Sequence, residues 1–440
     1  MSYTKPLDKL NLFDLSSVQM KTFHIVWVTF FTCFFSWFAI APLMPVIREE
    51  LKLSKDEIGN IVIASVFATT FARIIIGRVC DSIGPRLTHV MLLIIGAIPV
   101  LLVGLSYNYI SLLVFRLLIG IIGASIVITQ FHTTQMFAPN IVGTANALTA
   151  GWGNLGGGVA NLIMPIIFTG IISLGFTKFV AWRIAMIIPG ILLLLMAYIY
   201  YKYTQDTPYG NYKDLKKIRD SKKTGQVKFI EVIKEYKVWL LTLAYAASFG
   251  IEITFDNVAA IYFVDYFDAN LILAGTLASL FGLMNIFARF LGGFYVDKVG
   301  NKYGIKGKWI FLGILLLFEG FGIFLFANTH NLSLAIISMF TFALFLKMAN
   351  GANYGIVPFI NKKATGTISG IVAAGGNVGA ILAGFLFKSN SISYKEAFLI
   401  IGITVFVIGL IFTVLVMKLL QESKKEIEQS ENLVIEPISD

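Results

Sequence analysis

The stretch FARIIIGRVCDSIGPR, residues 71–86, sets an arginine inside a run otherwise built for lipid. Between Glu57 and Arg78 the chain carries no other charge than Arg73. An arginine at the centre of a spanning helix costs about 2.5–3.5 kcal/mol on insertion scales. The same context returns 216 residues later as FARFLGGFYVDKVGNK, residues 287–302, with Arg289 in the place of Arg73. A costly cation kept twice in one setting points to a duplicated membrane bundle with a working charge in each copy.

Composition agrees. Of 440 residues, 57% are hydrophobic and only 14% charged, and the mean hydropathy is +0.79. Soluble domains carry about 25% charged residues. The net charge of +10 would suit a nucleic-acid partner, but the basic residues sit between apolar runs, which excludes that reading. Cys33 and Cys80 fall in different apolar runs and read as small core residues, without a disulfide or metal framework. No Walker sequence and no catalytic constellation appears, so neither an ATP-driven pump nor an enzyme is expected, and no cofactor.

A spanning helix needs about 20 mostly apolar residues. Twelve such runs are predicted, at roughly 23–47, 58–78, 87–106, 109–135, 142–170, 180–203, 237–264, 272–297, 308–327, 332–360, 366–387 and 394–418. The first is too long for the apolar region of a signal peptide and is expected to remain as the first helix. The predicted organisation is an N-terminal segment (1–22), a six-helix bundle (23–203), a basic linker (204–236), a second six-helix bundle (237–418) and a polar tail (419–440) expected to be disordered. With the N-terminus, linker and tail on one side, that side holds 24 of the 35 Lys and Arg, the other seven, and four lie within the membrane: Arg73, Arg116, Arg289 and Lys347. The positive-inside bias therefore places both termini in the cytoplasm.

The halves align beyond the arginines. Arg73, Gly77, Asp81, Gly84 and Arg86 fall opposite Arg289, Gly293, Asp297, Gly300 and Lys302, both reading R-x3-G-x3-D-x2-G-x-[RK]. VGTANALTAGWGNLGGG (142–158) matches TGTISGIVAAGGNVGAI (365–381). Parallel six-helix repeats are a standard transporter architecture, with substrate bound at the midplane where the halves meet.

These motifs resemble a known family. The G-x3-D-x2-G-x-[RK] loops, and Arg116 with Gly120 as R-x3-G, resemble the major facilitator superfamily. The paired glycine runs resemble the signatures of its nitrate/nitrite porter family. FDNVAAIYFVDYF (255–267) and FGLMNIFARFLGG (281–293) are similar to that family's cyanobacterial, algal and plant-type branch. The resemblance implies an all-α membrane protein of twelve transmembrane helices in two pseudo-symmetric bundles, the major facilitator fold. It implies Arg73 and Arg289 as substrate ligands, Asn154 as a pocket residue, and aromatic residues of the seventh helix against the substrate.

The chemistry of the residues is consistent with this. Nitrate is planar, trigonal and singly charged, and a guanidinium offers it in-plane paired donors that a lysine lacks. Arg73 and Arg289 are therefore expected to form an anion clamp. The runs containing Gly151, Gly153, Gly376 and the embedded Asn154 and Asn377 are expected to let helices approach closely around a small ion. Tyr245, Phe249, Glu252 and Asp256 fall at i, i+4, i+7 and i+11, one face of the seventh helix, with Tyr245 and Phe249 as the aromatic wall. Phe131 is a weaker pocket candidate. Glu252, Asp256 and His132 are the candidates for proton coupling, Glu252 foremost, with a static salt bridge to an arginine as its alternative and a structural hydrogen bond as that of His132. Arg116, Lys347 (expected early in the tenth helix, with Glu319 as partner), Asp81, Arg86 and Asp297 are expected in structural or gating ion pairs.

Bringing an anion into an inside-negative cell costs about 2.3 kcal/mol per 100 mV, so uptake needs coupling. The expectation is transport of nitrate, and of nitrite with it, across the cell membrane by rocking alternating access with proton symport. Nitrate/nitrite exchange, a carrier of another small anion such as formate, oxalate or phosphate, and a sensor are the alternatives. The expected partners are the anion, protons and the lipid bilayer, with no nucleic acid, and the protein is expected to be a monomer.

Overall fold

The computed structural model describes residues 5–138, 141–214, 229–361 and 365–434; the side chains of Ile74, Arg78, Asp81, Val142, Phe229, Asn301, Pro358, 365–367 and 415–434 also fall outside the description. Among the described residues twelve helices are long and apolar enough to cross a membrane. They are α1 (Val18–Leu51), α2 (Lys55–Gly77), α3 (Pro85–Leu105), α4 (Tyr109–Met136), α5 (Thr144–Ser173), α6 (Lys178–Tyr203), α7 (Tyr236–Phe267), α8 (Leu271–Gly300), α9 (Lys302–Ala327), α10 (Leu332–Tyr354), α11 (Ile368–Lys388) and α12 (Tyr394–Val414). The ends at Val18, Tyr203 and Tyr236 define a linker face; the turns after Leu51 and Phe267 lie on the far face.

Local sequence explains most boundaries. Ser54 caps α2 and Glu57 closes the capping box, and Asn108 and Asn270 cap α4 and α8. In the first turn of α9 the chain kinks at Gly304, whose φ of 67° is open to glycine at little cost. The tail differs from expectation, since the last helix continues to Val434. Residues 419–434 hold many Glu, Lys, Gln and Leu and no Gly or Pro. High helix propensity continues the helix where hydrophobic periodicity ends.

Packing repeats with the sequence. Within the halves α1 lies along α5, and α7 along α11; between the halves α2 lies against α11, and α5 against α8. Exchanging halves converts each pair into the other. At the α5–α8 crossing Gly158 meets Gly282, and a Cβ on Gly282 would stand 2.3 Å from the Gly158 Cα. Only two glycines allow main chains so close.

The far face ties the halves together. Arg48 binds Asp265 through both Nη atoms at 2.8 Å, Lys388 lies 3.7 Å from Asp56, and Lys55 donates to the carbonyls of Ser389 and Ile392. Deeper in, Arg116 of α4 donates to Trp37 O and, across the halves, to Asn257 Oδ1, both at 2.9 Å. Towards the linker face the described motif residues stay within one half. Arg86 grips Tyr201 O and stacks on the Tyr201 ring, and Asp297 binds Lys308 at 2.6 Å. The side chain of Asp81 lies outside the described residues.

Gly282→Ala should therefore lower thermal stability by about 1–3 kcal/mol, the range for overpacking. Gly170→Ala, in a position with nothing within 4 Å of the added carbon, should not destabilise. Thermal unfolding of the two purified variants in detergent tests the pair.

Candidate functional site

Helices α2 and α8 invert the usual polarity. Phe71, Ile75, Phe290 and Phe294 point outward, while Arg73 and Arg289 turn inward and are only 4% and 6% exposed. Both arginines reach the same ring. Their guanidinium carbons lie 5.9 Å and 5.6 Å from the Phe249 centroid, within cation–π range. Phe249 stacks on Tyr245 at 4.8 Å, and Tyr354 stands edge-on to Tyr245 at 5.2 Å. The two cations from opposite halves thus share one aromatic wall on α7. Gly376 of α11 makes room for it, since a Cβ there would meet Phe249 Cδ1 at 2.7 Å.

The arginines are held differently. Arg73 has no carboxylate partner among the described residues: Nη1 donates to Ala373 O of α11 at 2.8 Å and Nη2 to Gly123 O at 3.4 Å. The second acceptor lies in a 3-10 segment of α4, Ile121–Ala124, where the α-helical ladder is interrupted. Arg289 follows a similar break at Met284–Ile286 and binds Glu252 at 2.9 Å. The Nε atoms of both are buried without an acceptor. Asn377, one helical turn beyond Ala373 on α11, is buried with neither an acceptor for Nδ2 nor a donor for Oδ1. A buried donor left unpaired costs about 1–3 kcal/mol, more when charged.

Glu252 is surrounded. Oε1 accepts from Lys347 Nζ and Asn285 Nδ2, both at 2.8 Å, and Oε2 from Arg289 Nη2 at 2.9 Å and Asn350 Nδ2 at 2.6 Å. The partner expected for Lys347 is thereby corrected: Lys347 pairs with Glu252, and among the described residues no donor reaches either oxygen of the buried Glu319. Lys347 also lies in the later part of α10, not early, with its ammonium 4.1 Å from the Phe281 centroid. These contacts turn it towards α7 and α8. Asp256, one turn beyond Glu252, is buried with Oδ1 unpartnered, and its Oδ2 would be 3.5 Å from a Cβ on Gly157 of α5.

Other candidates lie elsewhere. His132 is enclosed in the N-terminal half by Tyr200 Oη at 2.5 Å and Gln205 O at 2.8 Å. Asn154 Nδ2 donates back to Ala150 O at 2.8 Å instead of outward, leaving Oδ1 unpartnered. Gly153 makes room for Phe30 of α1, while Gly151 faces Asn285 O across the halves. Phe131 packs with Cys80, Leu92 and Ile128. Sequence reasoning missed Asn285, Asn350 and Tyr354. Lys347, Asn350 and Tyr354 at i, i+3 and i+7 form one face of α10, a signal available in KMANGANY (347–354).

Twelve spans in two interchangeable halves around a buried arginine pair define a membrane transporter, and residues 26–384 match the Major Facilitator Superfamily. The high affinity nitrate transporter 2.5 of Arabidopsis thaliana is 41% identical, over 88% of this chain and 77% of its own length. The nitrate/nitrite transporter NrtP of Nostoc punctiforme is 28% identical, over 84% of this chain and 87% of its own. An inward-facing, unoccupied crystal structure of a bacterial homologue of the lysosomal transporter Spinster shares the fold, with a TM-score of 0.66 at 16% identity, covering 92% of this chain and 96% of the other. The chain belongs to the nitrate/nitrite porter family of the Major Facilitator Superfamily.

Truncating Lys347 to Ala strips one cation from a fully buried pair and should destabilise the protein by about 3–5 kcal/mol. A large drop in melting temperature of the purified variant is the expected reading.

Proposed function

We propose that this protein carries nitrate, and nitrite with it, across the cell membrane by alternating access, with both termini in the cytoplasm. The observation that carries this reading is the pair of buried donors without acceptors, Arg73 Nε and Arg289 Nε, at one aromatic wall, with the unpartnered Asn377 next in sequence to Gly376, which backs that wall. A small planar anion held there supplies acceptors to charged donors that otherwise have none, and the ring face excludes water from the contact. The curated relatives named as nitrate transporters support the choice of ion. The ties on the far face, Arg48–Asp265 and Lys388–Asp56, fit a state closed to the outside. Moving an anion inward against the potential then requires the halves to rock with the substrate neutralising part of the site.

We assign proton symport to Asp256. Of the three titratable candidates, Glu252 is filled by four donors and His132 by two partners, whereas Asp256 keeps an open oxygen where α7 meets α5. The saturation of Glu252 also favours a second reading, nitrate/nitrite exchange without protons.

Proteoliposomes test both. Arg73→Lys and Arg289→Lys should each lower nitrate uptake about 10–100-fold, the value of one charge-assisted hydrogen bond. A pH gradient without internal nitrite should drive accumulation in the wild type. Asp256→Asn should lose that accumulation and keep nitrate/nitrite counterflow. Wild-type accumulation indifferent to the gradient would instead establish exchange.

A further inference from the structure

The environment of Glu252 resembles a bound-anion site more than an ordinary salt bridge. A carboxylate is a flat monoanion with about four lone-pair directions in its plane. All four are used, by Arg289 and Asn285 of α8 and by Lys347 and Asn350 of α10. The group is 2% exposed. The C-terminal half therefore already holds a planar negative charge on its arginine, supplied by the chain itself. The N-terminal half has no such charge among the described residues: Arg73 rests on two carbonyls.

We propose that Glu252 is the specificity-determining counter-ion of the anion site. It acts through Arg289 as a positioning residue and does not carry the coupling proton. The inference rests on the reading of Arg73 and Arg289 as an anion site. Its content is electrostatic and geometric. Glu252 occupies Arg289 Nη2 and leaves the buried Nε for the substrate, so Arg289 is only partly available to it. It also cancels one of the three cationic charges of Arg73, Arg289 and Lys347, so that with Asp256 carrying the proton assigned to it above two net positive charges remain at the site. A monoanion bound there is held loosely enough to leave, and a dianion, which the two charges only just neutralise, meets no surplus charge to repay its larger dehydration cost. Asn285 and Asn350 fix the plane of the carboxylate and hence the plane of Arg289.

The probes are nitrate and oxalate, added to purified full-length protein and followed by calorimetry, with nitrate counterflow in proteoliposomes measured alongside. Glu252→Gln keeps size and shape but removes the charge. It should bind nitrate about tenfold more tightly, acquire measurable oxalate binding, and turn over more slowly because release is delayed. The double variant Glu252→Gln, Lys347→Gln restores two net charges and should return nitrate affinity towards the wild type and lose oxalate again. A merely structural role would not give opposite shifts in the single and double variants. Nitrate binding unchanged or weakened in Glu252→Gln, with no gain of oxalate, would overturn the inference. If Glu252→Gln fails to fold, the double variant decides alone: near-wild-type nitrate affinity without oxalate binding supports the counter-ion, and any other profile overturns it. Wild-type protein that binds no nitrate would defeat the underlying anion-site reading, an outcome distinct from either result with the variants.

Discussion

Everything central to this molecule follows from the difficulty of keeping positive charge where water is scarce. Arg73, Arg116, Arg289 and Lys347 are all buried, and each is accommodated in a different way. Lys347 and Arg289 share a carboxylate, Arg116 rests on a carbonyl and an amide oxygen, and Arg73, among the described residues, has only carbonyls and a ring face. Desolvation of an ion is expensive, and geometry of this quality offsets it only in part. Arg73, Arg116 and Arg289 each keep an unpartnered Nε, but only Arg73 and Arg289 share the Phe249 ring, which is why the proposed function is placed at that pair and not at the ion pairs of either face.

The surrounding scaffold serves that arrangement. Interruptions of the α-helical ladder in α4 and α8 fall beside the arginines. One frees a carbonyl for Arg73; the other directs Asn285 to Glu252. The glycine runs of α5 and α11 bring main chains close enough that the aromatic wall of α7 closes over the cations. Exchange of halves relates the α2–α11 contact to the α5–α8 contact, yet the chemistry at the centre is asymmetric, since the acidic nest stands on the C-terminal side.

Much of this was legible in the sequence. The duplicated FAR motif announced two interior arginines, and the i, i+4, i+7 spacing of Tyr245, Phe249 and Glu252 put wall and carboxylate on one face. What escaped depends on how helices are rotated about their axes in the assembled bundle. Glu319 was the partner expected for Lys347, and only the packing of α10 against α7 and α8 selects Glu252. Asn154 and Asn377 occupy matching positions in the two runs, but one bonds back to its own helix and the other is left with both amide atoms open. The helical tail escaped because helix propensity without hydrophobic periodicity resembles a solvated coil.

The crossing of Gly158 and Gly282 has a mechanical implication. Backbone lies on backbone there, with no side chain between the two glycines. Knobs set in holes resist tilting, because every degree of rotation must unseat them, whereas two smooth cylinders in contact at a point swivel with little resistance. This spot has the character of a bearing, and the cation site lies close to it, since Gly151 on the same helix faces Asn285 beside the acidic nest.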